Sequence, residues 1–340
     1  MLHAITRIST TAVARRATAV GLIAACAAVF AACGGGSDGK GGTAASSGGT
    51  TTLKVGVIPI ADVAPLYLGM KKGFFAEEHL KIEPQFAESG AAIVPSVVSG
   101  NAQIGFSNVG SMLVGQTKGL PVRIVSQADE AAGDPADAWT GLIVKGSSDI
   151  HAPKDLEGKT IALNGLHELN EVVVKAALAK NGVDIDKLHF TEVAFPDMVP
   201  ALDAGRVDAI AASEPFATIA KEGGDRSVLA PAVALQPNMT FAVYFSSQSF
   251  VEQHRDQLER FQRAMGRSLD YAAAHEDEAR AIIPTYSKVD PKLAEQIKLP
   301  VWTRDLNEPS IEMIAEQGQK YGLLEQEPDL SKLIVEPPAS

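Results

Sequence analysis

Beyond residue 33 the sequence contains no cysteine, since both of its cysteines, Cys26 and Cys33, lie near the N-terminus. Disulfides and thiolate-bound metals are therefore excluded from the body of the chain. A basic surplus is also missing. Thirty Lys and Arg stand against 41 Asp and Glu, a net charge of −11, so the electrostatic footprint needed to hold nucleic acid is absent. No apolar run reaches the roughly 20 residues of a membrane-spanning helix. The seven histidines (His3, His79, His151, His167, His189, His254 and His275) show neither an HExxH pattern nor paired-ligand spacing, and no metal site is expected. "GFSNVG" puts a serine after a strand but lacks the G-x-S-x-G spacing of a nucleophile elbow. "GGGSDGKG" follows a phosphate-binding loop as far as Lys40, but Gly41 stands where Ser or Thr is required and no buried strand precedes it. No catalytic residue and no cofactor are assigned.

The N-terminus has a character of its own. Met1 to Arg16 carries Arg7, Arg15 and Arg16 and no acid, and an uncharged alanine-rich run follows from Ala17 to Ala32. This is the order of a signal peptide, expected over residues 1–32. "FAAC" resembles a lipobox ending at Cys33, although Phe30 stands where leucine is usual. "IAAC", ending at Cys26, fits the box better but leaves a shorter apolar run. Cys33 is the favoured lipidation site and Cys26 the alternative. Residues 33–51 then form a Gly/Ser/Thr-rich tether. Cleavage would remove three of the 30 basic residues and none of the 41 acids, leaving an exported protein of net charge −14.

The rest of the 340-residue chain is long enough for two domains, and 46% apolar with 21% charged residues suits a globular α/β protein. From Thr52, short apolar runs alternate with amphipathic segments. "LKVGVIPI", "LKIEPQFAE", "AQIGFSN" and "VRIVSQA" read as strands, with helices between them that end near Gly73 and Gly100. The pattern restarts at "AWTGLIVKG" and runs through "KTIALNG", "KLHFTEVAF" and "VDAIAASEP". Such alternation predicts βαβ units and mainly parallel sheets. "TFAVYFSS" reads as a strand returning the chain to the first unit. After Ser249 the signal is helical: a long segment over residues 257–286, another over 291–299 and a third over 308–324.

Ligands of open parallel sheets bind beyond the carboxyl ends of the strands. The loops at those positions hold Asp62, Glu88, Ser89, Ser107 and Asn108 in the first unit, and Asn164, His167, Glu168, Phe195, Asp197 and Glu214 in the second. Trp139 ends the longer loop between the units. These twelve residues are the candidate ligand contacts. Some have structural alternatives: Asp197, Ser107 and Asn108 could cap helices, and Trp139 and Phe195 could be core. Glutamate is a poor cap, so Glu214, closing a buried apolar run, has the better claim to a ligand. None of these loops contains Lys or Arg, whereas eight acids, with Glu130, Asp134 and Asp137 among them, lie in them. A neutral or cationic heterocycle or amine suits that chemistry better than a bare anion, which would have to rely on helix N-termini alone.

"APLYLGMKKGFFAEEHLKIE", "VVSGNAQIGFSNVGSM", "PKDLEGKTIALNG" and "FPDMVPALDAGRVDAIAASEPF" together resemble solute-binding proteins of ABC importers. The branch is the nitrate/sulfonate/taurine type, which includes binders of thiamine-pyrimidine precursors, and the likeness extends from Thr52 to about Leu333. It implies a type II bilobal periplasmic-binding-protein-like α/β fold with two parallel or mixed sheets flanked by helices. It further implies a ligand cleft at a two-strand hinge and a helical C-terminal third. Residues 52–141 plus 242–340 would form one lobe and 142–241 the other. The implied protein is a monomer that binds a small molecule, performs no chemistry on it and docks on a membrane permease. It would be lipid-anchored outside the cytoplasmic membrane. Two alternatives stay open: a sensory lipoprotein, and an enzyme similar to the yeast-type thiamine pyrimidine synthase. That enzyme carries a cysteine-rich motif and uses a histidine and pyridoxal phosphate; the body of this chain has no cysteine.

Overall fold

The structure, a computed structural model, describes residues 49–335. The expected signal peptide, Cys33 and most of the expected tether lie outside the described residues. Ten strands form two five-stranded mixed sheets flanked by helices. The first holds β1 (Thr51–Val57), β2 (Leu80–Phe86), β3 (Ile104–Asn108), β4 (Val122–Glu130) and β10 (Thr240–Ser247), in the order β2-β1-β3-β10-β4. The second holds β5 (Thr140–Val144), β6 (Thr160–Leu163), β7 (His189–Glu192), β8 (Ala209–Ser213) and β9 (Arg226–Leu229), in the order β7-β6-β8-β5-β9.

Each sheet has one intruder. β1, β2 and β3 are parallel, but β10 runs antiparallel to both β3 and β4. β6 runs parallel to both β7 and β8, and β5 runs against β8 and β9. The chain leaves the first sheet at the carboxyl end of β4 and enters the second as β5. It returns at the start of β10. A strand that enters a sheet from the end where its neighbours finish must run against them, so both crossings explain both intruders. The two crossing segments touch, with Ala131 N–H donating to the Met239 carbonyl at 2.9 Å.

Burial follows sheet position. β3 and β10, flanked on both sides, are buried at every residue. β2, an edge strand, carries Lys81, Glu83 and Pro84, which blunt an edge. The other edge of this sheet, β4, is covered near the C-terminus, where Val335 N–H donates to the Ile124 carbonyl at 2.9 Å. One hydrophobic core joins β1, β3, β10 and the C-terminal helices to Ile143, Phe195 and Phe216 of the second sheet's side.

Three helical expectations need correction. The long segment 257–286 is broken into Arg255–Ala274, Glu276–Ile282 and Pro284–Ser287, because His275 leaves helical geometry (φ −134°, ψ 58°) and Pro284 offers no N–H to continue a helix. Residues 291–299 contain a single turn, Pro291–Ala294. Asp197 does not cap a helix; Phe195–Asp203 starts two residues before it, with Pro196 in its first turn. Glu77 and Glu78 pair with Arg267 and Arg263 at 2.7 and 2.8 Å.

Candidate functional site

Five helices start directly beyond strand ends: Gly90–Val98 after β2, Val109–Thr117 after β3, Leu169–Lys180 after β6, Phe195–Asp203 after β7 and Phe216–Glu222 after β8. Their N-termini gather around the space between the two sheets. Ser89 and Asn108 cap the first two, accepting from Ala92 N–H at 3.3 Å and Ser111 N–H at 2.9 Å.

A cavity of about 40 Å³ occupies this space. The first sheet supplies Asp62, Phe106 and Asn108; the second supplies Asn164, Asn170, Phe195 and Ser213, and Thr140 and Phe241 flank the crossings. A second cavity of about 270 Å³ opens at its mouth, where Ile58, Ile60 and Phe195 are shared and Phe86, Glu88 and Asp197 form the rim. Glu88, Asp197 and Phe86 are exposed. Neither cavity is lined by Lys or Arg.

Acidic groups dominate the interior. Asp62 lies in the short turn Ala61–Val63, buried, and accepts a hydrogen bond from Ser213 Oγ at 3.4 Å across the cleft. Burial pushes its carboxyl up to about 7. Asp129, at the end of β4, is fully buried and neither carboxylate oxygen has a hydrogen-bond partner. Burial raises its pKa well above the usual range, and the Asp62 charge adds to the shift. Its neighbour Glu130 is pushed up to about 7, again by burial. The hydroxyls of Tyr67 and Tyr244 are buried without partners as well.

Glu168 behaves differently. It starts the helix Leu169–Lys180 on the second sheet's side, but its carboxylate crosses to the first. Oε1 accepts from Ala91 N–H at 3.0 Å and Oε2 accepts from Asn108 Nδ2 at 2.8 Å. Leu169 N–H donates to Asn108 Oδ1 at 3.4 Å beside them. Hydrogen bonds to an ionised group contribute about 1.5–3 kcal/mol each, whereas burying an ion costs several kcal/mol. The two effects nearly offset, and the net shift of Glu168 is upward, with burial the largest cause. Gly110 and Gly165 permit the approach. A Cβ on Gly110 would lie 2.9 Å from Leu169 Cβ, and one on Gly165 would lie 2.7 Å from Glu168 Oε1.

Other predicted contacts fall outside the cavities. The Glu214 carboxylate turns back onto its own helix, accepting from Thr218 N–H at 2.9 Å and Thr218 Oγ1 at 2.8 Å. Its part in the cleft is through the backbone, where its carbonyl accepts from Ala61 N–H at 2.9 Å. The ligand role inferred from the expense of a buried carboxylate is corrected by that self-capping, which supplies the missing partners. Trp139 is buried against Phe241 and its Nε1 donates to the Glu130 carbonyl at 3.0 Å. His167 is exposed in a left-handed conformation (φ 57°), its N–H held by Glu171 at 2.8 Å. Ser89 and Ser107 line neither cavity.

Sequence reasoning passed over Asn170, Thr140, Phe106 and Phe241, all of which line the cavity. Asn170 carried a readable signal: a second amide six residues after Asn164, to which it donates at 2.5 Å. Phe106 and Phe241 sit inside apolar strands and carry none.

Two mixed sheets joined by two crossings, with a cavity where their strands end, define a two-lobed periplasmic-binding-protein fold, and solved structures agree. The alkanesulfonate-binding protein SsuA from Xanthomonas axonopodis pv. citri, bound to MOPS, matches with a TM-score of 0.72 at 17% identity, covering 84% of this chain and 98% of that one. The periplasmic nitrate-binding protein NrtA from Synechocystis PCC 6803 matches with a TM-score of 0.73 at 14% identity, covering 84% and 86%. The profile of the NMT1/THI5 like family matches residues 60–279, and the chain belongs to that family. A curated relative, the formylaminopyrimidine-binding protein of Halalkalibacterium halodurans, is 24% identical over 223 residues. That alignment spans 65% of this chain and 65% of the relative, just under two-thirds of its length.

Proposed function

We propose that this protein is an exported, lipid-anchored receptor that captures a small organic solute in the cavity between its lobes and passes it to an ABC importer permease. Residues 52–141 plus 242–340 and residues 142–241 act as the two lobes, hinged at the paired crossings. The solute is a neutral or cationic nitrogen heterocycle or amine. One observation carries this reading: the cavity joins a buried carboxyl, Asp62, to the amides of Asn108, Asn164 and Asn170 between the rings of Phe106, Phe195 and Phe241, with no basic side chain on its wall. Carboxyl and amide oxygens accept hydrogen bonds from ring or amino N–H groups, and aromatic faces favour a planar or cationic partner. The relative named for a formylaminopyrimidine supports the same class. Among the described residues no helix is long and apolar enough to cross a membrane, consistent with attachment through Cys33 at the outer face.

The test is a melting-temperature screen of the purified protein against aminopyrimidines, flavins and primary amines, with nitrate, taurine and alkanesulfonates as the opposing set. A heterocycle or amine should raise the melting temperature through preferential binding to the folded state. A rise produced by nitrate or sulfonates alone would overturn the assignment.

A further inference from the structure

Glu168 and its surroundings make a complete anion site whose occupant belongs to the protein. The donors come from the first lobe: Ala91 N–H at the start of Gly90–Val98 and the amide of Asn108 at the start of Val109–Thr117. The Ser89 hydroxyl stands beside the same carboxylate. One buried hydroxyl near the start of Gly90–Val98 is unused. Ser107 Oγ is fully buried, has no hydrogen-bond partner and packs directly under Gly90. Helix N-termini present N–H groups and positive dipole ends to one anion, and here the anion arrives from the opposite lobe.

We infer that Glu168 is a tethered internal anion that fills this nest, latches the lobes together without solute and excludes anionic solutes from it. The inference rests on the solute-binding reading above and deepens it by naming the residue that sets selectivity. A carboxylate carried on the facing helix competes at the high local concentration of any tethered group. A free sulfonate must expel it, or else share a buried space with a second negative charge. Ser89 and Asn108, two contacts expected to meet a ligand, thus serve the latch.

The experiment compares the wild type with Glu168→Ala and Glu168→Gln. Small-angle scattering without solute reads closure, and calorimetry with ethanesulfonate reads the nest. The wild type should be compact and bind ethanesulfonate weakly. Both variants should show a larger radius of gyration and an ethanesulfonate affinity at least about tenfold higher. Glu168→Gln keeps the size of the side chain but turns an amide donor toward Asn108, so it covers a folding failure of the alanine variant. An open wild type, unchanged radii in the variants, or no gain in ethanesulfonate affinity would each overturn the inference. None of these outcomes depends on the heterocycle and amine screen, so failure of the latch and failure of the solute-binding reading are separately visible.

Discussion

Asp62 carries two opposing demands. Buried under the cavity, its carboxyl is held at about 7 by desolvation, with one long hydrogen bond from Ser213 to offset the cost. A cationic or N–H-bearing solute would supply the missing partner. Asp62→Asn replaces the costly ionised form with a neutral amide of the same shape, so the solute-free variant should melt no lower than wild type at pH 8. Affinity for a heterocycle or amine found in the screen should fall about tenfold or more. Equal affinity by calorimetry would place the recognition elsewhere on the wall. Glu214 teaches the opposite lesson. Its carboxylate was conspicuous in sequence because nothing nearby could be seen to hold it, and Thr218, one turn later, does.

At the level of elements, the strands and the first helices were legible because their apolar runs are short, bounded by turn residues and ordered as βαβ units. The C-terminal helical breaks were not, since amphipathic spacing continues through residues 257–286 while the backbone turns at His275 and Pro284. Close helix approach was also invisible, because it depends on what stands opposite. Gly110 lies in Val109–Thr117 against the backbone of Leu169, the first residue of the facing helix. Gly110→Val should push these helices apart, enlarging the radius of gyration in scattering while leaving the far-UV circular dichroism unchanged. An unaltered radius would show that the contact at Gly110 does not set the closed position.

The whole molecule concentrates raised carboxyls around its cleft. Asp62, Asp129, Glu130, Glu168 and Glu214 are all shifted upward, burial being the largest cause in each. A carboxyl with a raised folded-state pKa binds its proton more tightly in the folded chain. Its contribution to stability is complete below the unfolded value near 4 and is lost as pH rises through the folded value, about 7 for Asp62 and Glu130. The surface carboxylates Glu157 and Asp329, lowered to about 2 chiefly by Lys154 and Lys332, act in the opposite sense and only in acid. The solute-free protein should therefore melt several degrees higher at pH 5 than at pH 8, and Asp62→Asn should flatten part of that slope. A melting temperature constant over this range would contradict the burial of these groups.

The amino-acid sequence by itself determined the plan of the fold. The lack of cysteine beyond Cys33 excludes disulfides within the body, and alternating apolar runs point to α/β units, because composition and period are properties of the chain alone. It also placed Asp62, Asn108, Asn164 and Phe195 near strand ends, where such sheets open. Only the tertiary structure decided which of the acidic side chains face empty space, since that depends on partners distant in sequence. Asp62 meets the cavity, Glu214 meets its own helix, and Glu168 reaches across to Ala91 and Asn108, 77 and 60 residues away. A carboxylate buried without a nearby partner in sequence can be a binding group, a cap or a latch, and the difference is a matter of a few ångströms.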